Sequence, residues 1–153
     1  MARRREPRKG APEIVFPELR AAIDSLLAAP GYDALARLLA ACRAGALIAD
    51  VTGSTGVDDA RVRTIASTDG RRVLPLFTSM ARLRQALPPQ QRPIARGAVM
   101  PGREALGFVV SADCAAVQFD PGPESLVVLR EFVEAALGEQ DPDADALAAI
   151  ARS

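Results

Sequence analysis

The feature that most constrains the fold is a change of hydrophobic period at Phe77. In DGRRVLPLFTSMARLRQAL, Asp69–Leu87, the run RRVLPLF (Arg71–Phe77) reads as a strand, and Asp69-Gly70 before it as a tight hairpin turn. Directly after Phe77, Thr78 or Ser79 can cap a helix in which Met80, Leu83 and Leu87 share one face, and Pro88-Pro89 ends it. A strand that turns at once into an amphipathic helix excludes an all-β or all-α chain. Pro75 inside the strand cannot donate to a ladder, so it belongs near a bulge, a strand end or an edge, and here the strand is about to finish.

The flanking segments extend this unit. ALIADV (Ala46–Val51) and RVRTIAST (Arg61–Thr68) read as two further strands, which with Arg71–Phe77 make three consecutive antiparallel strands. Two helices precede them. Pro17–Ala28 places Leu19, Ile23, Leu26 and Leu27 on one face and stops at Pro30-Gly31. The next, capped by Asp33 and ended by Gly45, carries the stripe Leu35, Leu38, Leu39, Cys42. Later in the chain PIARGAV is extended or irregular, and Pro101–Leu106 is a short helix. Phe108–Val110 and Ala115–Phe119 read as strands around the turn Ser-Ala-Asp. After the break Asp120-Pro-Gly-Pro, Pro123 opens a helix with Leu126, Leu129, Phe132, Val133, Ala136 and Leu137 facing inward and Gly138 capping it. A last amphipathic turn or two runs through Leu147 and Ile150. The expected architecture is α+β: a single compact domain with a mixed or antiparallel sheet of about five strands packed by helices.

Composition agrees with one domain. A chain of 153 residues, 49% of them apolar, can bury about 68–70% of its unfolded surface. Residues 1–12 read as a flexible basic arm, 13–140 as the domain and 141–153 as an acidic tail. The arm's Arg3, Arg4, Arg5, Arg8 and Lys9 against Glu6 give +4, and the remaining 14 basic and 18 acidic residues give −4. Lys9 is the only lysine among 19 basic residues, an arginine and alanine bias typical of GC-rich bacterial genomes. Cys42 and Cys114 are too few for a disulfide framework and lack metal-ligand spacing. No apolar run reaches the roughly 18 residues of a membrane span, and the arginine-rich start lacks the apolar core of a signal peptide, so the cytoplasm is the expected location.

The chain has no histidine, which removes Ser-His-Asp and Cys-His nucleophiles and histidine metal sites. No cofactor or metal is expected, and general acid–base work would fall to carboxylates. Asp58-Asp59, the adjacent acidic pair, reads as a solvated loop. Gly53-Ser54-Thr55-Gly56 could cradle a phosphate but lacks the Lys-Ser/Thr of a P-loop and reads as a hairpin loop. Thr78, Ser79 and Arg82 form a better small-anion candidate at a helix start, with simple capping as the plainer reading. The arm could touch phosphates but has no interleaved aromatics for stacking single strands.

Two segments carry a family resemblance. Asp69-Gly70, then Leu74–Ser79 and Leu83, follow a dG-x-x-hLPhFTs-x-x-xL pattern, where h is hydrophobic. Val117–Gly122 follows an hhhNPG-type turn, with Asp120 in the usual Asn place. Over roughly residues 20–138 the chain resembles the SseB N-terminal domain family. The resemblance implies an α/β arrangement and a bacterial protein, and it supplies no reaction, because fold analogy cannot. Asp120 accepts hydrogen bonds as Asn does but cannot donate. Three functions follow as expectations. The first is a non-enzymatic module that binds a protein partner, with Thr78, Ser79, Arg82, Asp120 and Gly122 as the contact residues. The second is a small-anion or metabolite sensor or enzyme using Thr78–Arg82. The third is a weak nucleic-acid binder through the arm.

Overall fold

A computed structural model describes residues 13–54 and 61–153. The basic arm, Thr55-Gly56 and Asp58-Asp59 lie outside the described residues. The elements run α1 (Pro17–Ala28), α2 (Tyr32–Ala44), β1 (Ala46–Asp50), β2 (Ile65–Ala66), β3 (Arg72–Phe77) and α3 (Met80–Ala86). A 3₁₀ turn (Pro89–Ile94) follows, then β4 (Gly97–Pro101), α4 (Gly102–Ser111), β5 (Ala116–Phe119), β6 (Leu126–Leu129), α5 (Arg130–Ala135) and α6 (Ala144–Ala151). The strands form one six-stranded mixed sheet in the order β4-β1-β3-β5-β6, with β2 also on β3. Only β3 and β5 are parallel. This is a single α+β domain.

Strand alternation divides the core into two unequal parts. Leu47, Ala49, Leu74, Leu76, Val117, Phe119 and Val128 point to one face, where they meet Leu19 and Ile23 of α1, Leu38, Leu39 and Cys42 of α2, and Leu106 and Val109 of α4. Each buried Leu, Ile, Val or Phe among them stabilises by about 1.5–3 kcal/mol. Ile48 and Phe77 point to the other face, which only α3 and its neighbours cover, through Leu83, Leu87 and Met80. Val127 and Leu129 on that second face stay exposed. Gly102 is required where α4 starts against the end of α2: a Cβ there would lie 1.6 Å from the Cys42 carbonyl oxygen.

Pro75 sits in the central strand, not at an edge. The carbonyls of Arg72 and Leu76 accept from Ala115 and Asp120, so even-numbered residues of β3 bond toward β5 and odd-numbered ones toward β1 and β2. On that second side β1 pairs with Leu76 and Phe77, and β2 pairs with Arg72 and Val73. Pro75 falls in the gap between them, where no ladder donor is needed.

Four local expectations are corrected. Phe108–Val110 is helix, not strand, because Ala105, Leu106 and Val109 continue one buried stripe of α4. Leu126–Leu129 is strand, not helix, and α5 begins only at Arg130. Its Leu126 and Leu129 have helical spacing, but β5 takes Val127-Val128 as its antiparallel partner. The strand expected over Arg61–Thr68 shrinks to Ile65–Ala66. Asp33 lies in the first turn of α2, with Gly31 at the cap position. In the acidic tail, Asp143 caps α6 and Leu147 is fully buried.

Candidate functional site

The parallel pair β3–β5 ends at a corner, and both motif segments end with it. Ser79 caps α3 by accepting from the Arg82 N–H at 3.1 Å. The Met80 N–H donates to the Ile14 carbonyl at 3.0 Å, and the Phe16 N–H to the Thr78 carbonyl at 2.7 Å. The segment before α1 thus straps the helix start, and the N–H groups of Met80 and Arg82 are already committed.

Asp120 closes the corner from the β5 side. It adopts a left-handed backbone, φ 51°, which short polar side chains tolerate. Its carboxylate, 0% exposed, accepts the Thr78 N–H at 2.8 Å on Oδ1 and the Thr78 hydroxyl at 2.7 Å on Oδ2. Arg20 of α1 donates Nη1–H to Oδ2 at 2.9 Å, and the Arg82 Nε lies 3.6 Å away. Burial pulls the Arg20 pKa down, but hydrogen bonds to Asp24 and Asp120 outweigh it, and the guanidinium ends above its ordinary value. Every group aimed at Oδ1 and Oδ2 is a donor, so an acceptor-only Asp suits this position better than an amide, whose NH₂ would face Arg20.

Across β3 from Asp120 a second buried carboxylate is held differently. Asp50, the last residue of β1, points to the thinly covered face, and its side chain is 8% exposed. Its Oδ1 accepts the Thr52 N–H at 2.9 Å. Its Oδ2 has no hydrogen bond among the described residues, and the Arg63 Nε stands off at 4.0 Å. Arg63 is held by its own N–H on the Asp50 carbonyl at 2.8 Å and by Nη1–H on Gln91 at 3.2 Å.

Asp50 and Arg63 form the polar wall of a pocket of ≈ 210 Å³. The apolar walls are Pro75 and Phe77 of β3, Leu87 and Pro88 after α3, and Pro121 after β5. The pocket occupies the gap between β1 and β2 beside Pro75. A larger groove of ≈ 510 Å³ runs along β6 between Leu26, Tyr32, Leu35 and Phe132, but it has no convergent charged group and no residue of either motif.

A family model, the SseB protein N-terminal domain, matches residues 19–135. The chain belongs to the SseB N-terminal domain family. No curated protein matches it. In this family member the two signature segments are joined by the Thr78–Asp120 bonds, and Pro75 and Pro121, one from each segment, line the same pocket.

Of the residues singled out in the sequence, Thr78, Ser79, Arg82 and Asp120 come together at the corner. Gly122, exposed with φ 122°, lies in the turn beyond it. Asp50, Arg63 and Arg20 are not among the residues singled out in the sequence, where Pro88 stands only as a helix stop. Arg20 pairs with Asp120 across 100 residues, a separation that leaves no local signal. Asp50 could have been found as the one charge ending an otherwise apolar strand. Among the described residues no three His, Cys, Asp or Glu side chains group as metal ligands, and no helix is long and apolar enough to cross a membrane. Both cysteines are buried, and burial pushes the Cys42 thiol up to about 12.

Proposed function

We propose that this chain is a non-enzymatic binding module that holds a protein partner at the pocket beside Pro75 and Pro121. One observation carries the reading: the two signature segments, 42 residues apart at Thr78 and Asp120, lock together and present one concave site on the sheet face that α3 leaves thinly covered. The site has shape, apolar walls and a polar end. The chain has no histidine to act as a general base, and its Cys42 thiol stays protonated at neutral pH, where a thiolate would be the nucleophile.

Ala86 lines the pocket from α3 and is itself exposed, so Ala86→Trp fills the site with little disturbance of the core. Affinity capture from the native cell lysate should retain a partner on the wild-type chain and lose it on Ala86→Trp, while a chain lacking residues 1–9 still retains it. Capture that is indifferent to Ala86→Trp, or a metabolite turnover that Ala86→Trp abolishes, would refute the module.

A further inference from the structure

The pocket's dimensions and its polar wall together select a ligand group. At ≈ 210 Å³ it is smaller than the roughly 300–1,000 Å³ of sites for drug-sized ligands, so it takes one side chain or one ring. Beside Ile65, Ala86 and Leu87, its apolar lining includes one aromatic residue, Phe77, and three prolines, Pro75, Pro88 and Pro121. A small apolar pocket that includes Phe77 suits an aromatic ring, which gains from offset or edge-to-face contact with it.

The polar end narrows the choice further. Asp50 Oδ2 is buried and lacks a donor among the described residues, and Arg63 Nε stands 4.0 Å from it, beyond direct hydrogen-bond range. A buried acceptor left open costs free energy until a donor reaches it. A ligand cation would meet the Arg63 charge beside the carboxylate. A carboxylate or phosphate would meet Asp50. A hydroxyl fits both groups at once, because it donates to Asp50 Oδ2 and accepts from Arg63. Serine and threonine are too short to fill the apolar walls and still reach that end. The indole N–H of tryptophan donates to Asp50 and offers nothing to Arg63.

We propose that the pocket bounded by Asp50, Arg63, Pro75, Phe77, Pro88 and Pro121 receives a phenolic ring, the tyrosine side chain of a partner's peptide. Its hydroxyl bridges Asp50 and Arg63 while its ring packs on Phe77 and the prolines. This rests on reading the pocket as the binding site.

The test uses three soluble probes, N-acetyl-tyrosinamide, its O-methyl ether and N-acetyl-phenylalaninamide, titrated into the isotopically labelled full chain with NMR shifts followed at Ile65, Phe77, Ala86 and Leu87. The tyrosine probe should shift these resonances and bind about tenfold more tightly than the other two, the worth of a hydrogen bond to a charged group. Asp50→Ala should remove most of the tyrosine advantage, leaving only what Arg63 gives the hydroxyl, and leave the phenylalanine probe unchanged. Ala86→Trp should abolish all three responses. Equal binding of the tyrosine and phenylalanine probes at the pocket overturns the hydroxyl assignment and leaves the binding module standing. No pocket response to any probe overturns the phenolic ligand, and the module then stands or falls on partner capture. A tyrosine advantage that Asp50→Ala leaves undiminished overturns the role given to Asp50.

Discussion

Asp120 and Asp50 are both buried carboxylates at strand ends, one on either side of β3, and they are supported in opposite ways. Asp120 accepts from the Thr78 N–H, the Thr78 hydroxyl and Arg20, with Arg82 nearby. Asp50 accepts from one backbone N–H, and among the described residues its Oδ2, at the pocket, has no hydrogen-bond donor. A saturated buried ion is a structural joint, because its donors are used up in holding two segments together. An unsaturated one keeps acceptor capacity for something else, and tolerates that only where a pocket admits a ligand or solvent. Asp120, one of the contact residues expected from the sequence, is thus surrounded by donors of this chain, and the inconspicuous end of β1 carries the acceptor with no donor among the described residues.

The largest expected effect tests the joint. Asp120→Ala takes the buried carboxylate from Arg20 Nη1, leaving Arg20 with Asp24 alone as a close carboxylate, and orphans two Thr78 donors. Removing one partner of a buried ion pair costs about 3–5 kcal/mol. Chemical denaturation should show a loss of that size. Alkylation of buried Cys42, slow in the native state because its thiol is protonated up to about 12, should accelerate by about 100-fold or more as opening becomes easier. A loss below about 1 kcal/mol would remove the distinction between the two carboxylates.

A middle effect separates the donors. Thr78→Val keeps the shape of the side chain and the N–H to Oδ1 but deletes the hydroxyl that donates to Oδ2 at 2.7 Å. The expected cost is about 1–3 kcal/mol by denaturation. If Thr78→Val and Asp120→Ala destabilise equally, Arg20 contributes nothing to the joint.

The smallest effect falls on Asp50. Asp50→Ala gives up one bond to the Thr52 N–H and should cost about 0.5–1.5 kcal/mol, with Cys42 alkylation changed by only a few-fold. A loss as large as that of Asp120→Ala would make Asp50 a second structural joint and weaken its assignment to a ligand.

Much of the fold was readable from local chemistry. The corner at Phe77 and Ser79 forms as its residue types require, since a hydroxyl before an amphipathic run offers an acceptor to the free N–H groups of a helix start. The helix at Pro17–Ala28 follows from its hydrophobic period with Pro17 and Pro30-Gly31 as its bounds, and the apolar run Ala46–Val51 forms the strand Ala46–Asp50. Where period was ambiguous, reading failed. Leu126, Leu129 and Phe132 have helical spacing, yet the first two belong to β6 because β5 needed an antiparallel partner at Val127 and Val128. Phe108–Val110 contains β-branched residues, yet it continues the buried stripe of α4.

By itself the sequence determined the local conformers and the meeting of strand and helix at Phe77, because caps, turns and hydrophobic periodicity act over a few residues. Only the tertiary structure decided that Pro75 would lie in the gap between β1 and β2, that Asp120 would pair with Arg20, and that Asp50 would keep an oxygen without a donor among the described residues. Those outcomes depend on which strands lie side by side, and strand pairing is settled by burial summed over the whole sheet, a quantity no short stretch of chain contains.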